Sequence, residues 1–391
     1  MANAGVDDDI FEALLETVER FVRERLIPAE PTVEENDEIP ADIVAEMKAM
    51  GLFGISIGEE YGGLGLSTMQ EARLIEALCN ASLVFRSLIG TTVGIGSQGI
   101  VMDGTEAQKR EWLPKLATGE AISAFALTEP DYGSDASRIK TSARREGDDF
   151  IINGTKRYIT NAPYASVFTL MARSNPEISG ARGISAFIVP ADTPGITVAK
   201  PDKKMGQRGA KTADVIFENV RVPAASIVGG PENEGKGFVT AMKVLDRGRV
   251  HISAMATGTS QRMLNEATDY AMDRKTMEKP IAEHQLVQAM LADCQTEIYA
   301  MRSLAHMAAK LYDEKGAAPM EAACAKYFTT EAAGRIADRC VQIFGGAGYM
   351  AEYAIERLYR DVRLLRIYEG TSQIQQTTIA KGLVKRRAEQ R

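Results

Sequence analysis

The sequence predicts an α+β protein: an N-terminal helical domain, a small central β-barrel or sandwich domain, and a C-terminal four-helix bundle. Three observations carry that expectation. Apolar residues recur at helical spacing from residue 7 to 121, short strand-like runs broken by Gly and Pro fill 122 to 232, and helical spacing returns from 233 to 391. The expected domains are therefore 1–121, 122–232 and 233–391.

In the first block, Ile10, Phe11, Leu14, Leu15, Val18, Phe21 and Val22 form one apolar stripe, with Glu and Arg opposite. Pro28 and Pro31 are expected to end that helix. Thr105 with Gln108 makes a capping box that opens another helix through Trp112. In the second block, Asn153-Gly154 stands between Phe150-Ile151-Ile152 and the run Thr155 to Thr160, which is a strong hairpin signal. Val167, Phe168 and Leu170, then Ile184 to Val189, then Val215, Phe217, Val220 and Val222 supply further strands. In the third block, long helical segments fall near 234–273, 281–312, 318–341 and 372–388.

Composition narrows the function. With 391 residues, 45% hydrophobic and 25% charged, the chain is a soluble globular protein large enough for several domains. A formal net charge of -7 leaves no electrostatic footprint for nucleic acid. No apolar run approaches the roughly 18 residues that would span a bilayer, so no membrane partner is expected. The opening Met1-Ala2-Asn3 and the following Asp7-Asp8-Asp9 lack the basic start of a secretory or mitochondrial leader, and a cytoplasmic location is expected. The four cysteines, Cys79, Cys294, Cys324 and Cys340, include no CxxC pair and read as buried reduced thiols. The three histidines, His251, His284 and His306, form no HxxxH or HExxH pattern, so no metal site is expected. The chemistry falls to carboxylates, hydroxyls or a bound cofactor.

Four windows could carry it. Phe125 to Asp135 reads as a strand breaking at Pro130 into a polar turn. That turn either simply leaves the sheet or offers backbone N–H groups and the hydroxyls of Thr128 and Ser134 to a ligand. Tyr158-Ile159-Thr160-Asn161 sets an aromatic beside a hydroxyl at a strand end, which suits a ring with polar edges or is plain strand. Gln342-Ile343-Phe344-Gly345-Gly346-Ala347-Gly348-Tyr349 ends a helix and lets a backbone approach something closely. It lacks both the GxGxxG spacing and the preceding strand of a dinucleotide fold. In Ile367-Tyr368-Glu369-Gly370-Thr371-Ser372-Gln373-Ile374-Gln375, Thr371 or Ser372 can cap the next helix. Glu369 is then a solvated loop residue or a base. Ile367 and Ile374 argue for partial burial, which raises a carboxyl pKa as attack on a weak carbon acid requires.

In this order and spacing the four windows resemble the acyl-CoA dehydrogenase family. So do Glu60-Tyr61-Gly62-Gly63, Met205-Gly206-Gln207-Arg208, Phe217 to Pro223, Leu245-Asp246-Arg247-Gly248-Arg249 and Asp273-Arg274-Lys275-Thr276, over nearly the whole chain. One such window is weak; the ordered set is highly specific. The resemblance implies FAD-dependent α,β-dehydrogenation of an acyl-CoA thioester to the trans-2-enoyl-CoA, with electrons passed on to an electron-transferring flavoprotein. By matching, Phe125, Leu127, Thr128, Ser134, Tyr158, Ile159 and Thr160 hold the isoalloxazine from their own subunit. Arg274 and Thr276 meet the pyrophosphate across a subunit interface; Gln342, Ile343, Gly345 and Gly346 complete the adenosine side; Thr371 and Gln373 add further contacts. A site shared in this way implies a homo-oligomer, usually a tetramer.

Glu369 matches the family's base. The resemblance implies that the thioester carbonyl is held by the backbone N–H of Glu369 and a ribityl hydroxyl, and that the β-hydrogen leaves as hydride to the flavin. A minority branch acting on isovaleryl-CoA carries its base at the position of Gly248, so here the role stays with Glu369. The bulk of Tyr368 argues against such a branched substrate. Substrate contacts are implied for Ser87, Ser134, Asp246, Arg249, Tyr368 and Gly370. Two departures stand out: Tyr158 where Trp is common, and Met277-Glu278 where Phe-Gly is common.

Arg86-Ser87 begins a segment with Gly90, Gly94, Gly96 and Gly99 that borders the acyl pocket in relatives. An arginine bracketed by Val84, Phe85, Leu88 and Ile89 is expensive to bury unpaired. It snorkels out, pairs with a protein carboxylate, or meets an anionic acyl terminus. Its position resembles that of the arginine with which glutaryl-CoA dehydrogenases hold a distal carboxylate, and a dicarboxylyl-CoA substrate is expected. The alternatives are a glutaryl-CoA-type oxidative decarboxylase, a desulfinase-like relative that cleaves a C–S bond, and, from another class, a non-catalytic FAD-binding scaffold for electron-transfer partners. An intact Glu369 argues against the last.

Overall fold

Asp7 opens helix α1 (Asp8–Phe21) by accepting the N–H of Asp9 with its side chain, and Phe11, Val18 and Phe21 bury the expected stripe. In this computed structural model, which describes residues 4–391 and leaves Met1-Ala2-Asn3 outside the described residues, the helix does not stop at the prolines. It runs through a π-helical turn at Val22–Leu26 into α2 (Ile27–Asn36), with Pro28 in the first turn and Pro31 inside. A proline at the start of the new segment gives up an N–H that the change of register had already orphaned. Four more helices follow with α3 (Ala41–Ala49), α4 (Thr68–Leu78), α5 (Leu83–Gly90) and α6 (Gln98–Asp103), a second π turn joining the last two at Thr91–Gly96. Helix α7 (Glu106–Ala117) opens on the expected Thr105–Gln108 capping box.

The central sheet comprises β1 (Ser123–Ala126), β2 (Ser142–Glu146), β3 (Asp149–Thr160), β4 (Val167–Arg173), β5 (Ile184–Pro190), β6 (Ile196–Val198) and β7 (Thr212–Pro223). Its order is β1-β4-β2-β3-β7-β6, with β5 paired to β4. Phe150, Phe168, Phe187 and Phe217 fill one core of this curled sheet in two edge-to-face pairs. Asn153-Gly154 is not a hairpin turn. It lies inside the single long strand β3 and forms a bulge, with a register shift against β7 between Ile152 and Gly154. The Asn153 carboxamide oxygen accepts the N–H of Asn219 at 2.8 Å, and a Cβ at Gly154 would lie 2.5 Å from the Thr141 hydroxyl oxygen. The glycine therefore serves a close approach within the sheet, not a reversal.

The C-terminal block is built on α8 (Gly237–Asp273), which packs against α4, α9 (Gln285–Lys315) and α10 (Pro319–Phe344). Helix α11 (Ala354–Val362) and helix α12 (Ser372–Glu389) pack on α10. Helices α8, α9, α10 and α12 are the four long segments expected. A hairpin of β8 (Lys275–Thr276) and β9 (Lys279–Pro280) follows α8. One apolar core runs continuously from α1 through α4 and α8 to α10. Cys79, Cys294 and Cys340 are buried free thiols, whereas Cys324 is only half-buried. Among the described residues no helix is long and apolar enough to cross a membrane.

Candidate active site

The loop 367–371 joins the turn Arg363–Arg366 after α11 to α12, and it is held from beneath. Lys326, on α10, is 0% exposed, and its ammonium donates to the carbonyls of Tyr368 at 2.9 Å and Gly370 at 2.5 Å. The Gln375 carboxamide donates to the carbonyls of Glu369 and Gly370 at 3.2 and 2.9 Å. The carbonyls of Tyr368, Glu369 and Gly370 are thus all turned inward. Glu369 itself is held at φ +51°, an uncommon conformation for a residue with a side chain. Thr371 caps α12 by accepting the N–H of Ile374 at 3.3 Å.

The Glu369 carboxyl turns toward α8. A methyl group on Gly248 would lie 2.1 Å from its Oε2, so the carboxylate occupies space that only a glycine there leaves free. Oε2 is sequestered and has no hydrogen-bond partner among the described residues. Burial raises the Glu369 pKa; Arg86, Lys326 and Arg249 pull in the opposite direction. Ile367, expected to shield this carboxylate, is 49% exposed. The carboxylate lies instead against Gly248 of α8, which sequence proximity could not reveal.

Arg86 lies on α5, 4% exposed, and forms no ion pair with any carboxylate among the described residues. Neither of the ordinary expectations for a buried arginine is met. Its Nη2 lies 3.3 Å from His251 Nδ1, and its Nε has no partner. A guanidinium can only donate, so Nδ1 accepts and the His251 ring carries its proton on Nε2, which donates to Glu71 at 2.7 Å. The second Glu71 oxygen is taken by Arg247. Burial holds the His251 pKa down to about 4, so the ring is neutral. Glycine at position 90 is what lets the guanidinium fold back along its own helix, since a Cβ there would meet Nη1 at 2.3 Å. Beside it, the Ser87 hydroxyl donates to Gln207 at 3.1 Å, and buried Asn161 donates to the Ser87 and Leu88 carbonyls and to Thr91. Arg249, 5% exposed, pairs with Asp246 at 2.5 Å, and the Tyr368 hydroxyl reaches Met255 sulfur at 3.9 Å.

On the β domain the turn after β1 is pinned from inside. Lys156, 0% exposed, donates to the Leu127 carbonyl at 3.0 Å and to Glu129 at 2.8 Å. Glu129 also accepts the N–H groups of Lys140 and Thr141. The hydroxyls of Thr128, Ser134 and Thr160 remain free of hydrogen bonds among the described residues. The Tyr158 ring is 63% exposed on a backbone at φ +56°. Phe125 is half-buried and Leu127 buried. A second group gathers at one end of the bundle. Tyr270 stacks on Phe344 at 4.2 Å between ring centres; Arg274 and Thr276 follow Tyr270 in the chain, and Gln342, Gly345 and Gly346 flank Phe344. Cβ atoms on those two glycines would meet nothing within 4 Å. Gln373 is exposed at the start of α12. Ile159 and Ile343 depart from expectation: at 2% and 5% exposure their side chains belong to the two cores and leave only backbone to a ligand.

Models of the acyl-CoA dehydrogenase N-terminal, middle and C-terminal domains match residues 9–120, 124–220 and 235–384 in turn. The chain belongs to the acyl-CoA dehydrogenase family. An acyl-CoA dehydrogenase of Bacillus subtilis (strain 168) is 39% identical over 94% of this chain and 96% of its own. Subunit CarC of the caffeyl-CoA reductase-Etf complex of Acetobacterium woodii is 40% identical over 90% of this chain and 92% of its own. A glutaryl-CoA dehydrogenase from Mycobacterium smegmatis, solved in complex with FADH2, superposes with a TM-score of 0.89 at 32% identity, covering 97% of this chain and 95% of that one. Acyl-CoA dehydrogenases are FAD-dependent oxidoreductases acting on the CH–CH bond of acyl-CoA. The residues here suit that cofactor: an exposed aromatic ring beside unspent hydroxyls on one domain, and open glycine backbone beside Arg274 on another.

Sequence reading missed Lys326 and Gln375. Lys326 did leave a signal, for it lies at helical spacing from Ala322, Ala323, Ala333 and Ala337, the face that is buried.

Proposed function

We propose that this enzyme oxidises an acid-terminated acyl-CoA across Cα–Cβ, with Glu369 as the base and Arg86 as the partner of the distal carboxylate. The observation that carries the reading is that the buried guanidinium of Arg86 has no carboxylate partner among the described residues. An uncompensated buried charge costs several kcal/mol. Arg86 is also the foremost of the cations that pull the Glu369 pKa down, so the distal carboxylate and the α-carbon of the substrate would meet these two groups in one space.

FAD, when bound, supplies the acceptor for the β-hydrogen and its electron pair. The chain's own groups do the rest. The Glu369 carboxylate, kept from water against Gly248, takes the α-proton. The backbone N–H of Glu369, which has no acceptor among the described residues, bonds the thioester carbonyl and stabilises the charge that develops there. Phe125, Leu127, Thr128, Ser134, Tyr158 and Thr160 would hold the flavin ring, with Ile159 contributing backbone. Arg274, Thr276, Gln342, Gly345, Gly346, Thr371 and Gln373 would hold the remainder of a cofactor shared between subunits. Tetramer formation is supported by apolar residues left exposed on the bundle, among them Met277, Leu286, Tyr299 and Met307. An electron-transferring flavoprotein is the proposed electron acceptor, in keeping with the Etf complex to which the CarC subunit belongs.

The test is anaerobic titration of the holoenzyme with mono- and dicarboxylyl-CoA esters, following flavin absorbance. Glutaryl-CoA should bleach the flavin well below the concentration butyryl-CoA requires, and Arg86→Ala should remove the preference. Butyryl-CoA turnover far above glutaryl-CoA, unchanged by Arg86→Ala, overturns the substrate assignment.

A further inference from the structure

We infer that Lys326 is a positioning residue for the thioester carbonyl, acting through the Tyr368–Glu369 peptide unit. A peptide carbonyl and the N–H that follows it belong to one rigid plane and point in opposite directions. The Tyr368 carbonyl and the Glu369 N–H are such a pair. Because the Lys326 ammonium donates to the Tyr368 oxygen at 2.9 Å, it fixes where the Glu369 N–H points. A cation on that oxygen also polarises the amide and strengthens the N–H as a donor, since hydrogen bonds in a chain reinforce one another in a low dielectric.

Three further observations favour this role over simple packing. First, Lys326 is 0% exposed and has no carboxylate partner at ion-pair distance among the described residues, so its hydrogen bonds go to backbone carbonyls. Second, its other bond, to the Gly370 carbonyl at 2.5 Å, brackets Glu369 from the far side and maintains the φ of +51° that an unsupported glutamate would leave. Third, the N–H at stake has no acceptor among the described residues, whereas the carbonyls of Tyr368, Glu369 and Gly370 around it are all satisfied. A loop built only to end a helix has no need of a buried ammonium, which burial itself disfavours, pulling the Lys326 pKa down to about 8.

The inference rests on the reading that the Glu369 N–H bonds the thioester carbonyl, and the experiment separates the two. Enoyl-CoA product labelled with carbon-13 at the thioester carbonyl is bound to the oxidised holoenzyme, and its carbonyl stretch is read by infrared difference spectroscopy. In the wild-type protein the band should fall below its position in water. In Lys326→Met at equal FAD content most of that fall should vanish, with the rate of flavin reduction down about 10- to 100-fold. Lys326→Gln, which keeps donors but no charge, should restore the lowering in part. A wild-type band unmoved from water removes the N–H reading itself. A wild-type lowering reproduced in full by both variants overturns the role of Lys326. Should Lys326→Met not retain FAD, the Gln variant decides: an unaltered band with it is equally fatal.

Discussion

Among the described residues two lysines are completely buried, and they do opposite things. Lys156 in the β domain and Lys326 in the bundle are both 0% exposed, both bond a backbone carbonyl next to a functional turn, and both have pKa values pulled by burial to about 8. Lys156 is neutralised by Glu129, so its field is local and its work is mechanical: it locks the turn after β1. Lys326 has only carbonyls beneath the loop, and the anion toward which its field points is Glu369. On the reading proposed above, the paired lysine shapes a turn and the unpaired one lends its charge to the loop that carries Glu369.

The comparison depends first on the loop above Lys326 being where the reaction happens. Glu369→Gln should lower flavin reduction by about 10³-fold or more while the protein stays yellow, in the range of general-base effects; a stopped-flow rate near wild type breaks the comparison outright. Next, Gly248→Ala should lower the same rate by about 100-fold, because the methyl would displace the carboxylate by more than the ångström that catalysis tolerates. Unaltered kinetics there would mean that the base points elsewhere.

The contrast between the lysines sharpens with stability. Lys156→Met strands Glu129, 6% exposed, and should cost about 3–5 kcal/mol, seen as a lowered melting temperature and lost FAD. Lys326→Met strands no carboxylate and should cost clearly less on the same thermal scan. The smallest effect is on pH. The folded Lys326 pKa of about 8 lies below the roughly 10.4 of a free lysine, so between these values the unfolded chain binds more protons and stability rises with pH. Over that window the charge beneath Tyr368 and Gly370 fades, with Glu369, Arg249 and Glu331 as its charged neighbours. Flavin reduction should therefore decline by a fewfold above pH 8 in wild type, and Lys326→Gln should flatten that limb.

Much of this was legible in residue order. The switch from helical spacing to short runs and back marks the three layers of structure, and the Thr105–Gln108 cap opens its helix as expected. Asn153-Gly154 misled because a two-residue turn and a bulge ask for the same residues, and only pairing with β7 distinguishes them. Pro28 and Pro31 misled because a π turn upstream had already shifted the hydrogen-bond register. At the site, Glu369 and Arg86 were legible as chemistry-bearing types in apolar company. The sequence alone does not say that Gly90 makes room for Arg86 or that Gly248 makes room for Glu369, since a glycine looks the same whether it faces solvent or a carboxylate.

What the sequence determined by itself is the family, the order of its layers and the motif that carries Glu369, the residue proposed as the base. These are local properties: spacing, capping and the ordered motifs. The tertiary structure alone decided that Arg86 has a neutral imidazole for its side-chain partner, that the Glu369 carboxylate lies against α8, and that an ammonium from α10 turns the Tyr368 and Gly370 carbonyls inward. Each of those depends on which charges finish within a few ångströms of one another, and Coulomb interactions follow distance in space, to which separation along the chain is no guide.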